Sequence, residues 1–448
     1  MGEYADFKIN GVSLYSLKNE GSALPFLMEA FSPEELIDVE GASEDDNGYY
    51  GYRTSAAAAK ERLEVLGYSF EKSHKEILDC CRQGCGMVEN LSEGLDDEGL
   101  SILLLDGAGD GVEEFEFYKA LSDKSALIEG LAQVFADSAD TMKTWWPEYT
   151  QEGVVLSPVN EVAKRVLEAG KDGVLNFISS DPCPEPMCVL RLILESVSPE
   201  VSVEYDCTLP VRLWDSCIKE ELTGFLEQTA FSPSAQFILI TEGGTDDKYI
   251  SESLRLLRPN LCHMFKFFDY HNDANPERNC NAVARLCRAM ASLRLQEKFI
   301  FLFDNDAAGV ESLKKVPPKL PQNIAAIHLP DLDFAKSYPS FGPDGLGRSD
   351  INGRAVTIEF FLGQNALTSE DGALCPIEWV GRQGSVYQGN LVGGGKKSAQ
   401  KIFEAELKAC AESGRRSKGY DWSSMELLVD YLVRVASELR SPGSNCER

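Results

Sequence analysis

The sequence predicts an α/β protein: a domain of βαβ units with a parallel sheet, preceded by an N-terminal α+β region and a mainly helical middle and followed by a helical C-terminal tail. The main observation is a set of short apolar runs, each followed by a helical pattern, at 237–241, 264–268, 299–303 and 324–329. Each run is continuous rather than alternating in polarity, which is typical of strands buried on both faces. Strands that alternate with helices of this length indicate βαβ units and a parallel sheet.

The composition narrows the class of protein. The chain has 448 residues, which suggests two or three domains, and its 43% hydrophobic and 26% charged content is ordinary for a globular protein. Its formal net charge is −29. Because non-specific nucleic-acid binding depends on Lys and Arg, this charge argues against a wide phosphate-binding surface. A local basic groove, or binding through metal ions, is compatible with it.

We expect four segments along the chain. An N-terminal α+β accessory region is followed by a mainly helical middle, by the α/β region and by a C-terminal extension of strands and then helices. Their expected bounds are 1–110, 111–232, 233–365 and 366–448. A Pro-rich stretch at 180–187 is interpreted as a surface loop or a joint.

Local patterns predict the elements that precede the α/β region. Residues 7–18 alternate in polarity around Asn10-Gly11, which is typical of a β-hairpin. Apolar spacing near 3.6 residues predicts helices, and a short apolar run predicts one further strand. The helices are expected at 56–66, 73–91, 113–146, 158–169 and 213–229, and the strand at 100–105.

The same patterns predict the second half of the chain. Helices between the strands of the parallel sheet are expected at 246–257, 282–295 and 307–315, with one more near 355–362. The C-terminal extension is expected to contain a strand pair within 379–392 and helices at 399–412 and 425–439.

Cysteine usage and the N-terminus indicate the compartment. Thirteen cysteines and no secretory apolar segment at the start point to a reducing cytosol, so we expect a cytoplasmic protein. No apolar run is long enough to span a bilayer, and no membrane partner is expected. The tightest cluster, Cys80, Cys81 and Cys85, lacks a fourth ligand at zinc-site spacing and is interpreted as buried thiols on helices. Cys183 and Cys188 supply no clean zinc pattern either.

Carboxylates follow two of the predicted parallel strands. Glu242 ends the first strand and precedes a Gly-Gly turn, and Asp246 falls near the first turn of the next helix, which it could cap. Asp304 and Asp306 follow the third strand and flank Asn305, so they should point the same way from an extended backbone. The carboxyl ends of such strands are where open α/β sheets bind ligands. Acids gathered there stay ionised only beside a cation, and oxygen ligands favour Mg²⁺.

Other polar residues are weaker candidates. Asp331 and Asp333 follow the fourth strand, where a role beside a metal and a plain loop role both stay open. Glu359 falls in the expected helix near 355–362, and a solvated helix face is favoured for it. The Gly-rich stretch 393–398 lacks the spacing of a nucleotide-binding P-loop, so a joint into a helix is favoured over a phosphate cradle. A solvated face is likewise favoured over a phosphate contact for Lys396.

These motifs resemble the Toprim domain shared by topoisomerases, bacterial primases, small ribosomal-RNA maturases and overcoming-lysogenisation-defect nucleases. The resemblance covers about residues 235–362 and rests on Glu242-Gly243-x-x-Asp246 followed by Asp304-Asn305-Asp306-x-x-Gly309. The opening Met-Gly-x-Tyr-x-Asp and the Asn-Gly hairpin also resemble the N-terminal domain of some bacterial Toprim and HEPN proteins.

The Toprim resemblance implies a role for each acid. Glu242 would be a general acid/base or a metal ligand, Asp304 and Asp306 would hold Mg²⁺ or Mn²⁺, and Asp246 matches a further acid of Toprim nucleases. The implied activity is metal-dependent cleavage of phosphodiester bonds in DNA or RNA, with a role in bacterial anti-phage defence by association. A protein partner or a homo-oligomer is compatible with this activity.

Departures from the family leave two alternatives open. No zinc module typical of primases and no P-loop is found, and Arg258 and His263, which match a HEPN ribonuclease spacing, fall across a helix end. A stand-alone nuclease is therefore favoured. The alternatives are a primase-like nucleotidyl transferase and a non-catalytic scaffold whose acids bind Mg²⁺ structurally or bind a partner.

Overall fold

The computed structural model consists of two compact units, Met1–Ser232 (unit 1) and Pro233–Arg448 (unit 2). It describes residues 4–18, 25–39, 48–84, 110–136, 158–169, 184–208, 236–268, 279–293, 295–342, 345–369 and 372–439. The expected strand at 100–105 and the expected helix at 213–229 lie outside these ranges, as do Cys85 and Cys183.

Unit 1 contains a five-stranded sheet in the order β2-β1-β5-β4-β3. All pairs of neighbouring strands in this sheet are antiparallel. The predicted hairpin is confirmed: Asn10 and Gly11 have φ values of 52° and 78°, as a two-residue turn of the type favoured by Asn-Gly requires. The strands are β1 Tyr4–Ile9, β2 Val12–Lys18, β3 Leu36–Val39, β4 Tyr49–Ser55 and β5 Ser202–Asp206. Sequence patterns did not identify β3, β4 or β5, and β5 lies between β1 and β4.

Helices pack with this sheet in unit 1. They are α1 Ala56–Val65, α2 Phe70–Gly84, α3 Asp110–Ser122, α4 Lys124–Phe135, α5 Glu161–Ala169 and α6 Pro186–Glu195. The described part of the expected helix at 113–146, which extends to residue 136, is divided because Asp123 caps α4. The Asp123 carboxylate accepts hydrogen bonds from the backbone N–H groups of Ser125 and Ala126. One hydrophobic core links sheet and helices, from Phe7 on β1 to Ile193 on α6.

A buried ion pair stabilises unit 1. Arg62 on α1 is 1% exposed, and its guanidinium donates to both carboxylate oxygens of Glu35 at 2.7 and 2.9 Å. The same guanidinium donates to the Ala30 carbonyl oxygen at 2.8 Å. Because a bidentate pair satisfies most of its donors, this buried arginine does not carry an uncompensated charge.

Unit 2 is built on the predicted parallel sheet, which is confirmed. Its four strands have the order β10-β8-β6-β7, and every pairing is parallel. The strands are β6 Phe237–Ile240, β7 Phe265–Phe267, β8 Lys298–Phe303 and β10 Ile324–His328. The helices between them are α7 Gly244–Leu257, α8 Cys280–Ala291 and α9 Ala307–Leu313. All six residues of β8 are buried, as expected for a central strand covered on both faces.

A second sheet and further helices complete unit 2. The sheet has the order β12-β11-β14-β15, and the predicted strand pair within 379–392 is confirmed as β14–β15. Its strands are β11 Tyr338–Gly342, β12 Gly345–Ser349, β14 Ile377–Gln383 and β15 Val386–Leu391, and the helices are α10 Gln364–Leu367, α11 Gly395–Ser413 and α12 Ser423–Glu438. The last two confirm the predicted C-terminal helices.

The expected helix near 355–362 is wrong. This segment forms a short strand, β13 Ala355–Val356, and a 3-10 turn, Ile358–Phe361. β13 pairs antiparallel with β9 Asn305–Asp306, directly after the central strand. The pairing fixes an extended backbone, and this tertiary contact overrides the helical spacing of the apolar residues.

Within the described ranges, none of the helices combines the length and the apolar character needed to cross a membrane.

We expect Glu35→Ala to destabilise unit 1 by on the order of 3 kcal/mol, because it leaves the buried Arg62 guanidinium without its partner. Hydrogen exchange of residues 49–84, followed by mass spectrometry, measures this loss of protection within unit 1. The matched control is Glu71→Ala, which removes an exposed ion pair with Lys124 and should cost at most about 1 kcal/mol. Equal effects of the two substitutions would contradict the argument.

Candidate active site

The candidate site lies at the carboxyl edge of the parallel sheet in unit 2. β6 and β8 are adjacent and in register, with Ile240 opposite Phe301, so the residues that follow them are neighbours. The backbone N–H of Asp304 donates to Glu242 Oε1 at 3.1 Å. The structure therefore brings together the first and third of the acids that the sequence singled out.

Asp246 lines a small pocket beside this pair. It lies in the first turn of α7, whose N-cap is Gly243, so the expected capping role of Asp246 is wrong. The pocket is small, with room for little more than a water molecule, and is partly open to solvent. It is lined by Asp246, Asp304 and Thr241 together with apolar side chains that include Ile358. Two acids thus face one small space whose other walls are largely apolar.

Asp306 is placed differently from the other three acids. It caps α9: its Oδ1 accepts the Gly309 N–H at 2.7 Å, and its Oδ2 accepts a hydrogen bond from Gln388 Nε2 at 2.5 Å. The residue is 9% exposed. Both carboxylate oxygens are therefore engaged by the protein, in agreement with a structural contribution to the turn.

The glycine three residues after Asp306 is required by packing. A Cβ added at Gly309 would lie 2.2 Å from the Asp304 carbonyl oxygen. A side chain there would push α9 away from the strand end that carries Asp304. The absence of a side chain at Gly309 therefore lets α9 approach the strand end closely, and the Gly309 N–H donates to Asp306.

Asn305, between the two aspartates, connects the site to other loops. It is 1% exposed; its Nδ2 donates to Asp331 Oδ1 at 2.8 Å, and its Oδ1 accepts the Gly353 N–H at 2.9 Å. Asp331 is thereby explained as a partner of Asn305. Asp333 is exposed and pairs with Lys336 at 2.6 Å, so it takes no part in the acidic cluster.

The interpretation of Glu359 as a solvated residue is wrong. It lies on the 3-10 turn after β13 and is 0% exposed. Its Oε2 accepts the Thr357 hydroxyl at 2.6 Å, and its Oε1 accepts Gln400 Nε2 at 2.7 Å. Because β13 pairs with β9, the turn that follows is directed toward the acids, and Glu359 contributes to the raised pKa of Asp246 and of Asp304.

Lys396 supplies positive charge to this group, which the sequence interpretation also missed. It lies in the first turn of α11 directly after the Gly-rich stretch, and its Nζ is 3.1 Å from Glu359 Oε1. Although partial burial lowers it, the pKa of Lys396 is raised overall by Glu359, Asp304 and Asp246. The sequence signal for Lys396 was a run of glycines that ends in lysine at the start of a predicted helix. Gly394 has a φ of 81°, and open space lies in front of it.

The acids repel one another. Burial is the largest cause of each raised pKa, and neighbouring carboxylates add to it: the pKa of Glu242 is raised to about 7 and that of Asp246 to about 8. The pKa of Asp304 is raised well above its usual value for the same reasons. Lys396 opposes the rise at Glu242 and Asp246, and the backbone of Asp304 lowers the pKa of Glu242. Raised acid pKa values clustered at a strand edge are typical of functional sites.

The donor set fits a hard divalent cation. All candidate ligand atoms are carboxylate oxygens, which Mg²⁺ and Mn²⁺ prefer, and a cation would relieve the repulsion that raises the pKa values. No three of the four predicted acids place ligand atoms within 4.8 Å of one another in the described ranges. A shared ion would therefore need side-chain rotation, which repelling carboxylates without a cation make reasonable.

Two other sequence features are resolved by the structure. Arg258 follows the end of α7, and His263 lies in a separate 3-10 turn, so they do not share a helix. Cys81 on α2 is a buried cysteine outside any disulfide, as expected, and Cys80 beside it is partly exposed.

Comparison with known protein families gives a match in the N-terminal region. Residues 1–210 match the family model HEPN/Toprim N-terminal domain 1, which supports a HEPN/Toprim-associated protein. The match confirms the resemblance seen in the opening residues and extends past the expected bound at 110. It lies within unit 1 and does not include the four acids. No curated protein and no solved structure matched the chain.

The raised pKa values predict how stability depends on pH without metal. Between about pH 4 and pH 8 the native acids hold protons that the unfolded chain has lost, so the free energy of unfolding should fall as pH rises. Asp246→Asn removes one of these groups and one repelling charge. The fall should then be smaller by on the order of 1 to 3 kcal/mol. Denaturant titrations in EDTA at pH 5 and pH 8 measure the difference.

The control for this measurement is Asp333→Asn. Asp333 is exposed, and the pKa of its carboxyl is lowered by Lys336, so this variant should keep the wild-type fall above pH 5. If Asp246→Asn also keeps it, the carboxylates do not carry the strain assigned to them.

Proposed function

We propose that unit 2 is a Toprim-type enzyme that cleaves phosphodiester bonds of DNA or RNA with Mg²⁺ or Mn²⁺. The observation that carries the proposal is a group of repelling carboxylates at the carboxyl edge of the parallel sheet. Glu242 and Asp304 follow two adjacent strands, and Asp246 lies in the first turn of α7. Burying such a group costs free energy, and a bound divalent cation would offset this cost and supply a reaction centre. The match of residues 1–210 adds support, because domains of that family are named for their association with HEPN and Toprim proteins.

The residues suggest a division of roles. Asp246 and Asp304 line one pocket and are the candidate ligands, with Glu242 next to Asp304. A bound cation would polarise the phosphodiester and favour a nucleophilic water. Glu242, whose pKa is raised to about 7, can hold or release a proton near neutral pH and is suited to protonate the leaving oxygen.

Lys396 is the candidate for orienting a phosphate. Its ammonium group is held beside Glu359, and the start of α11 adds backbone N–H groups at the same end. Positions 393 and 394 are glycines with open space in front of them, so a substrate backbone can approach without side-chain obstruction. The net charge of −29 would repel nucleic acid from the rest of the surface, which suits an enzyme that needs a partner, self-association or activation. By association with HEPN and Toprim proteins, we propose that this activity serves anti-phage defence in the cytoplasm.

A nuclease assay tests the proposal directly. Purified protein is incubated with labelled single- and double-stranded DNA and RNA in Mg²⁺, Mn²⁺ or EDTA. We expect metal-dependent cleavage by the wild type and a loss of about 100-fold or more in Glu242→Gln, Asp246→Asn and Asp304→Asn, since each removes a charge needed at the reaction centre.

The matched control is Asp333→Asn, an exposed acid after the neighbouring strand, which should keep wild-type activity. Undiminished cleavage in all three site variants would reject the proposed centre. Template-dependent incorporation of nucleotides, in place of cleavage, would favour the primase-like alternative.

Asp306 has two candidate roles that a single substitution separates. As the metal ligand implied by the Toprim resemblance, it would have to exchange the hydrogen bond from Gln388 for the ion, while Oδ1 continued to cap α9. As a cap alone, it is replaceable by Asn, which caps helices equally well. We expect Asp306→Asn to keep the thermal stability within about 1 kcal/mol and to lose cleavage activity.

The readouts for Asp306→Asn are a melting curve and the same nuclease assay. Retained activity with retained stability would remove Asp306 from the ligand set and leave it as the residue that fixes α9. That outcome would favour the scaffold alternative only if the other three acids also proved dispensable.

A further inference from the structure

A second group of potential metal ligands lies in unit 1, outside the acidic site. Glu76 on α2, Glu185 before α6 and Cys188 on α6 each offer one ligand atom, and these atoms all lie within 4.8 Å of one another. The two helices are more than 100 residues apart in sequence, as the contact between Glu76 and Cys188 shows. Cys188 is 2% exposed, whereas Glu185 is exposed, so the group reaches from the core to solvent.

Each of the three side chains is held in place by the protein. The Cys188 thiol donates to Glu76 Oε2 at 3.4 Å, and the backbone N–H of Glu185 donates to Glu76 Oε1 at 3.2 Å. The Tyr68 hydroxyl donates to Glu185 Oε1. Metal-binding carboxylates typically have such outer partners, which fix their orientation.

A buried hydroxyl beside the group has no hydrogen bond of normal geometry. Ser73 is 0% exposed, and within the described part of the chain its Oγ has no hydrogen-bond partner at normal geometry. It lies three residues before Glu76 on α2, which places both on one helix face. Burial raises the pKa of the Cys188 thiol and Glu76 raises it further, whereas the Ser73 hydroxyl lowers it, which locates this hydroxyl next to the sulfur. An unsatisfied buried oxygen is costly, and a ligand at this place would satisfy it.

We propose that Cys188, Glu76 and Glu185 bind a divalent metal ion of borderline softness, Zn²⁺ in particular. Zinc bonds of about 2.3 Å to sulfur and about 2.1 Å to oxygen, at a tetrahedral angle, place the two ligand atoms about 3.6 Å apart. The distance from Cys188 Sγ to Glu76 Oε2 is 3.4 Å, close to that value. A thiolate ligand disfavours Mg²⁺ and Ca²⁺, which prefer oxygen.

Metal binding at this group replaces the thiol proton of Cys188 with a bond to the ion. The ion forms a bond to Cys188 Sγ, and the thiol proton that now faces Glu76 leaves to solvent. The exposed Glu185 side chain provides the entry path, and the fourth position is open to the Ser73 hydroxyl or to water. A bound ion would connect α2 to α6 and would stabilise unit 1. If no ion binds, Glu76 is only an acceptor for the start of α6 and for the thiol.

Cobalt substitution tests the proposal on the full chain. The metal-free wild type is titrated with Co²⁺ alone, and absorption is recorded. We expect one equivalent to produce a thiolate-to-cobalt charge-transfer band that Zn²⁺ abolishes by displacement. The carboxylates of unit 2 contain no sulfur ligand, so Co²⁺ bound there does not contribute to this band.

Variants assign the band to this group. Cys188→Ser should remove the band, and Glu76→Gln should weaken Co²⁺ affinity by tenfold or more while the fold, checked by circular dichroism, is kept. Cys80→Ser is the matched control, a thiol on the same helix as Glu76, and should leave both band and affinity unchanged. No band in the wild type overturns the proposal, and so does unchanged Co²⁺ affinity in Glu76→Gln. If Cys188→Ser does not fold, the Glu76→Gln titration decides alone.

Discussion

The candidate site depends on one constraint, which is that neighbouring parallel strands end at the same edge of a sheet. β6 and β8 run side by side in register, so the residues that follow them are placed together by the backbone. An acid after each of these strands therefore brings like charges close together where water screens them poorly. The raised pKa values of Glu242, Asp246 and Asp304 express this cost. The apolar burial of β8 on both faces offsets it.

The protein compensates the acids unequally. Asp306 has a hydrogen-bond donor for each carboxylate oxygen, and Glu359 is fully buried with three donors. Glu242 has the backbone of Asp304, and its pKa is still raised. Asp246 lines an open pocket, and its pKa is raised to about 8 by burial and by Glu359 although Lys396 lowers it. The less a carboxylate is satisfied by protein donors, the more it depends on a charge from outside the chain. Asp246, Asp304 and Glu242 are therefore the acids that most need a cation, whereas Asp306 would have to exchange a protein donor for it.

Sequence patterns predicted the parts of the fold that local periodicity determines. Continuous apolar runs identified the parallel strands, and the Asn-Gly turn identified the first hairpin. β5 was not identified because its five residues alternate only briefly, and its place between β1 and β4 comes from pairing across the chain. The segment near 355–362 has helical apolar spacing, yet its pairing with Asn305 and Asp306 makes it extended. Such long-range pairing leaves no mark in a local pattern.

The same distinction explains what was missed at the site. Glu242, Asp304 and Asp306 were identifiable because they closely follow strands, and Asp246 because it lies four residues after Glu242 in the first turn of the next helix. Glu359 and Lys396 reach the site from a 3-10 turn and from the start of α11, and only the fold brings them together. The Gly-rich run before Lys396 was visible, but its meaning depends on the direction of α11. Sequence interpretation places a charged residue on the surface, where most such residues lie. Glu359 is buried instead because Lys396 pairs with its carboxylate.

The two candidate metal groups differ in chemistry, and this difference has a consequence for the whole chain. The acids of unit 2 offer only oxygen, whereas the group in unit 1 combines oxygen with the Cys188 sulfur. A hard ion such as Mg²⁺ would therefore prefer the acids of unit 2, and a borderline ion such as Zn²⁺ would prefer the group that contains Cys188. Zinc bound in unit 1 would exchange slowly and serve stability, because its ligands come from two packed helices. Magnesium in unit 2 would be held by few ligands and exchange with substrate, which suits a reaction centre.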